Sequence, residues 1–301
     1  MSNESFSSMS MRRIRMKYHA KRALPGSWMR AMALVLISVL VGTLLVKLIP
    51  LQFSISWPTP TDQNYETLPL LILQSIVTSL HTFIQSITQN QLLLCGAILV
   101  LCWLISSPLS IGVAHFHLGV ARLQKPKLTA ALSVFTDLGT VARSMGLTLW
   151  LSILRLFWAM IFFAIPFFVF YIAFTTSFPL LAILGDQFFL GAFVLYFIKT
   201  LSYAPAVILF ADDPSLGIFG AVKKSKAIMR GRLKEFFLFE LSFFPLRLLA
   251  AVSGLLGNLF FLPYYQTTLV VFVDSLRARS DPDWVSPLAP NTQEKTEDNV
   301  N

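Results

Sequence analysis

Long apolar runs alternate with short polar or basic gaps along this chain, and the runs set the expected architecture. Ala31 to Ile49 is mostly apolar, and Pro50-Leu51-Gln52-Phe53 offers no small-residue cleavage site after it. The run is longer than a signal-peptide core of about 7–15 residues, so it predicts a first transmembrane helix that stays attached. Together the runs predict spans at about 29–51, 92–118, 147–174, 187–211, 236–261 and 264–276. Pro108, Pro166 and Pro205 fall inside three of them, and Pro108 predicts a kink, because proline removes one backbone donor. The last run is short, and it serves as a return leg only if Leu259 to Tyr265 helps turn the chain within the membrane.

Two segments have a helical period without the length of a span. From Leu68 to Thr88, Ile72, Ile76, Leu80, Phe83 and Ile87 form one stripe, and Gln74, Thr78, His81, Gln85 and Thr88 the opposite one. That predicts an interfacial amphipathic helix, the alternative being a spanning helix that faces a polar cavity. Residues 1–28 crowd Arg12, Arg13, Arg15, Lys17, Lys21 and Arg22 beside Met11, Ile14 and Tyr18. Either a short helix lying on an anionic bilayer face or a disordered positive tail fits that pattern. The loop 52–67 is polar, and the tail 277–301 is expected to be disordered.

Composition turns this pattern into a class. Of 301 residues, 55% are hydrophobic and 13% charged, where soluble chains carry roughly 25% charged. Mean hydropathy is +0.67. So few charges cannot cover a globular surface unless lipid covers the rest. The expected fold class is all-α: a polytopic transmembrane helical bundle of about six spans with interfacial helices.

Charge then orients the bundle. The net charge of +9 would invite a nucleic-acid reading in a soluble chain, but no RNA-reading or zinc-finger motif accompanies it. Lys and Arg number seven up to Arg30, four in 119–146, six in 212–235 and three beyond 276, against none in 52–91, 175–186 and 262–266. Twenty to none places both termini in the cytoplasm by the positive-inside rule and favours an even number of spans. Leu216, Phe219 and Val222 beside Lys223, Lys224, Lys226 and Arg230 predict a basic amphipathic helix on the inner leaflet.

Charges within the runs are the candidate sites. Arg155, Lys199, Glu240, Arg247 and Asp274 lie at depth, where a charge costs at least about 2.5–3.5 kcal/mol and needs a partner or water. Glu240 can pair with Arg155 or Arg247. Lys199 and Arg247 near the midplane fit either a cationic spot for an anionic headgroup or solute, or snorkelling. Cys95 and Cys102 are seven apart, about 10 Å along a helix, too far for a disulfide. His115 and His117 point apart and cannot share a metal. No catalytic constellation, phosphate loop or metal-ligand spacing is found, so no enzyme, cofactor or metal is expected. Ala250-x-x-x-Gly254 and Ser253-x-x-x-Gly257 give a small-residue face for close packing.

The segment from Asp212-Asp213-Pro214 onward is the most individual: Ala221, Ser225, Met229-x-Gly231, Phe237, Glu240-Leu241-Ser242-Phe243, Gly257 and Pro263-Tyr264. It resembles the bacterial integral membrane family of domain of unknown function 975, most densely over 203–276. Pro245-Leu246 stands where that family has a Gly-Trp pair, which marks a divergent member. The resemblance implies a multi-pass helical bundle and no established activity or cofactor. Physically, Gly231 is expected to turn the chain from lying flat to crossing, and Pro263 to end the fifth helix. The expected function is that of a non-enzymatic protein of the bacterial cytoplasmic membrane that binds lipid, through anionic inner-leaflet headgroups, or a membrane protein partner. The alternative is a small transporter or permease subunit for an anionic solute.

Overall fold

A continuous apolar run satisfies its own backbone groups by coiling, and helix is the only regular structure among the described residues. The computed structural model describes residues 2–47, 71–72, 74–79, 82, 88–176 and 179–281. The loop 52–67, most of the amphipathic 68–88 segment and the tail beyond Asp281 lie outside them. The described residues are helical at 71–72, 74–79 and 82. The main helices are α1 (Ser2–Ala23), α2 (Trp28–Lys47), α3 (Gln89–Ala121), α4 (Leu138–Thr176), α5 (Pro179–Leu201) and α6 (Ala206–Asp212). They are followed by α7 (Gly217–Met229), α8 (Leu233–Leu241), α9 (Phe244–Val252) and α10 (Gly254–Ser280). Four stretches are long and apolar enough to cross a membrane: Gln89–Ala121, Leu138–Ala173, Ile183–Asp212 and Gly254–Ser280. A fifth is counted if Met11–Ala23 and Trp28–Gly42, bent by 97°, act as one.

The chain divides into two compact units. The first, called here the apolar unit, comprises 41–105 and 149–201. It holds three of the 24 basic residues, Lys47, Arg155 and Lys199. Its α4 and α5 pack through aromatic rings, with Phe163 at 5.1 Å from Phe189 and 5.8 Å from Tyr196. The other faces turn Leu156, Met160, Ile165, Phe167 and Leu190 outward.

The charged unit comprises 1–40, 106–148 and 202–301 and carries the other 21 basic residues of the sequence. One core joins Ala23, Leu24, Ala31 and Leu34 to Phe116, Val120 and Ala131. A second is aromatic, with Phe236, Phe239 and Phe243 packing on Phe261, Tyr265 and Phe272. In this unit α4 starts at Leu138, earlier than the expected span. The Asp137 carboxylate caps it by accepting from the Gly139 and Thr140 N–H groups and the Thr140 hydroxyl. The Thr140 hydroxyl, foremost, holds that carboxyl below the usual range.

The helix boundaries expected for the fifth and sixth spans require correction. The run 236–261 is not one helix: it is α8, α9 and the first part of α10. Pro245 lacks an N–H, and in a continuing helix its ring would clash with the carbonyl of Leu241, so α8 stops and α9 starts afresh. Gly254 takes φ +62°, a left-handed turn that separates α9 from α10. Pro263 does not end a helix. It lies inside α10, which continues to Ser280 and takes in Arg277 and Arg279, expected in the tail.

α8 and α9 return along α10 as an antiparallel hairpin. Its register runs from Glu235 opposite Arg279, through Phe239 opposite Phe272 and Phe243 opposite Tyr264, to Ala250 opposite Gly257. A Cβ on Gly257 would stand 2.7 Å from the Ala250 Cα, so only glycine allows this approach. α10 of this hairpin meets the start of α2 and the end of α3. At one end of α10, Arg277 meets Asp212, which also holds Arg122 just beyond α3. Seventeen residues away, about 25 Å along the helix, Phe260 packs on Trp28, the first residue of α2, with ring centroids 6.4 Å apart. Arg30 ties that start of α2 to the same level by donating to the carbonyls of Lys125 and Pro126.

α1 is a helix docked on the hairpin, so the disordered-tail reading of the N-terminal segment does not hold. Met16, Ala20 and Ala23 face the protein, while Met11, Ile14 and Tyr18 are exposed.

Candidate functional site

Prolines interrupt two of the helices, and side chains from other helices donate to carbonyls beside these breaks. Pro205 separates α5 from α6, and the carbonyl of Ser202 accepts from the Ser225 hydroxyl at 2.8 Å. Pro245 separates α8 from α9, and the carbonyl of Ser242 accepts from Lys17 Nζ at 3.1 Å. The same ammonium lies 4.3 Å from the Phe243 ring centroid. One turn earlier, Arg13 donates to the carbonyl of Leu238.

The charged groups of this unit pair at the helix ends. Asp212, at the end of α6, accepts from Arg122 at 2.5 Å and from Arg277 at 2.7 Å. Glu235 accepts from both terminal nitrogens of Arg279 at 3.0 Å. Arg232 donates to the carbonyls of Leu276 and Arg279, closing the open end of the hairpin. Its guanidinium is held below its ordinary range, chiefly by burial. Glu240 pairs with Arg247 at 3.2 Å and also accepts from the Tyr265 hydroxyl at 2.5 Å. Of the two partners expected for Glu240, the structure pairs it with Arg247. Sequence spacing could not find Tyr265, because the hairpin register brings it there. The Asp212 clamp did leave a signal: Arg122 and Asp212 are the first charges after their apolar runs.

The remaining candidates separate. Lys199, in the apolar unit, lies 4.3 Å from the Trp158 ring centroid. Arg155 is exposed on α4, and Asp274 half-buried on α10. His115 and His117 engage different groups, the carbonyl of Ala211 and the hydroxyl of Thr267. No group of three or more His, Cys, Asp or Glu side chains able to hold a metal converges among the described residues.

α7 builds the basic face. Ala221, Val222, Ser225, Ile228 and Met229 are buried. Phe219, Lys223, Lys226 and Arg230 recur at helical spacing and are exposed, with Lys224 half-buried beside them. Phe219 was expected on the apolar stripe with Leu216 and Val222; it stands among the cations instead. Lys226 also reaches the Tyr203 ring, 5.1 Å from its centroid. After α7, Gly231 at φ +75° turns the chain into α8.

A groove opens between the α1–α2 turn and the α9–α10 hairpin. Its volume is about 490 Å³. Leu246, Leu249, Ala250, Phe260 and Phe261 form its walls, and Lys21, Trp28, Ser253 and Tyr264 supply its polar groups.

These features fall largely within a segment that matches a known family: residues 59–280 match the model described as protein of unknown function (DUF975). The chain belongs to this family. No curated protein and no solved structure matches it. The DUF975 match covers α3 to α10 and ends with the last residue of α10, while α1 and α2 precede it. Most of the DUF975-like motif positions have structural tasks. Ser225 satisfies Ser202, Met229 is buried, Gly231 turns the chain and Gly257 admits Ala250. Glu240 binds Arg247 and Tyr265, the Ser242 hydroxyl donates to Phe239 O, and Phe243 is fully buried. The Pro263 carbonyl accepts from Thr267, and Tyr264 lines the groove. Phe237 is exposed on α8.

Proposed function

We propose that the protein is a non-enzymatic, multi-pass component of the bacterial cytoplasmic membrane that holds anionic headgroups of the inner leaflet on its charged unit. The carrying observation is the segregation of charge: 21 of 24 basic residues belong to one unit, and the other turns large apolar side chains outward. Exposed apolar area on that scale needs lipid to cover it. In this reading α2, α3, α4 and the α5–α6 stretch cross the bilayer. The hairpin α8–α10 and α1 lie across their cytoplasmic ends. Four crossings keep both termini cytoplasmic, as the twenty-to-none count requires. The exposed Met11, Ile14 and Tyr18 of α1 and Phe219 of α7 enter the interface beside their cations.

A transporter would need Lys199 and Arg247 to serve one polar path. Against that, Arg247 is engaged by Glu240 and Lys199 by Trp158. The test is spin-label spectroscopy of the full protein in mixed bilayers. A larger immobilised fraction is expected for phosphatidylglycerol than for phosphatidylcholine. The difference should shrink as salt shortens the screening length from about 8 Å towards 3 Å. Equal fractions at low salt would reject the reading.

A further inference from the structure

We propose that the groove between the α1–α2 turn and the α9–α10 hairpin seats one anionic phospholipid, an acyl chain along its walls and the phosphate at Lys21, Trp28 and Tyr264. The inference rests on the membrane-surface reading above. Its size, about 490 Å³, falls within the roughly 300–1,000 Å³ of small-molecule sites. The walls are apolar side chains, and the polar groups gather from α1, α2 and α10. Lys21 Nζ, Trp28 Nε1 and the Tyr264 hydroxyl have no hydrogen-bond or ion-pair partner among the described residues.

Three donors of this kind, one of them cationic, complement a phosphate, and they offer nothing to a choline ammonium. A free inorganic phosphate would leave the apolar walls uncovered. The groove also continues into exposed Leu249, Val252, Leu256 and Phe260, a surface that suits a chain arriving from a bilayer rather than from water. The charge of Lys21 and the apolar path beyond it therefore select the same molecule. The basic face of α7 attracts a leaflet, whereas this groove holds one lipid.

The experiment is native mass spectrometry of the full-length protein in detergent with added phosphatidylglycerol or phosphatidylcholine. One phosphatidylglycerol per chain is expected to be retained in preference to phosphatidylcholine. Lys21→Ala should lower its retention about fivefold, the share of one lysine near an anionic surface. Ser253→Trp should lower it as well, because an indole placed from this exposed position fills the groove and leaves Lys21 intact. Lys223→Glu on α7 should leave the retained lipid in place. Lipid-free melting temperatures confirm that each variant is folded, and if one is not, the other decides. Unchanged retention in either folded variant, or equal retention of the two lipids, overturns the seat. Spin-label selectivity on the same preparations separates the failures. If selectivity survives, only the seat is lost; if it is absent, the membrane-surface reading goes with it.

Discussion

Asp212 holds two guanidiniums, and its partner Arg277 has only 8% of its side chain exposed. Asp212→Ala leaves two cations behind, one of them buried, and breaking such a pair typically costs about 3–5 kcal/mol. A marked fall in melting temperature and detergent-extracted yield is expected. Lys223→Ala on the open face of α7 should change stability by less than about 0.5 kcal/mol. Equal effects of the two would show that the clamp adds nothing. Glu240→Leu is expected to behave like the Asp212 variant, since it deprives both Arg247 and the Tyr265 hydroxyl of an acceptor. Unchanged melting would mean that Glu240 is solvated. The importance of Glu240 was legible in the sequence, because no other carboxylate lies in the run 236–261. Its phenolic partner was not. Tyr265 comes from a segment whose register depends on two chain breaks, and no spacing rule connects residues 240 and 265.

The helices themselves were largely legible, and their directions were not. The expected basic helix at 215–230 is α7 at Gly217–Met229, because its small buried positions and its cations alternate with a helical period. The run 236–276 was apolar enough to suggest two crossings. Hydropathy measures transfer from water, and an apolar hairpin that lies across helix ends scores like one that crosses. Pro245 and Gly254 were visible as punctuation, yet their effect on direction depends on what α8 and α10 pack against. The breaks can be tested singly. Ser225→Ala removes a hydroxyl that donates to Ser202 O and should cost about 0.5–1.5 kcal/mol in stability, the net worth of one hydrogen bond. Ser225→Thr keeps the hydroxyl and should recover part of it. Gly231→Ala meets no neighbour within 4 Å, so its cost is that of a left-handed backbone, about 1–2 kcal/mol. Thermal melts that show neither loss would remove both elements from the account.

At the scale of the molecule, topology distinguishes four crossings from six. Ser253 lies at the turn of the hairpin. Six spans place it outside the cell, while four keep it on the cytoplasmic side. With Cys95 and Cys102 replaced by serine, a membrane-impermeant maleimide applied to intact cells should label Tyr65→Cys and should not label Ser253→Cys. Labelling of Ser253→Cys from outside would restore the six-span arrangement. The charge count alone could not choose, because both arrangements have an even number of crossings and the same basic gaps. The proposed four-crossing arrangement draws on the meeting of Phe260 with Trp28, a long-range contact that no local pattern encodes.

The bond from Lys17 to the break after α8 also sets an order of events. The two residues are 225 positions apart in the chain. At a synthesis rate of about 5–20 residues per second, α1 waits roughly 10–45 s for its acceptor to be made. During that interval α8 to α10 do not yet exist, so the carbonyls of Leu238 and Ser242 are not there to accept from Arg13 and Lys17. α1 is therefore made before the hairpin that Lys17 and Arg13 engage. A nascent chain arrested before residue 233 should expose α1 to protease, and the full chain should protect it. Completion of the C-terminal hairpin is thus the step that locks the N-terminus in place.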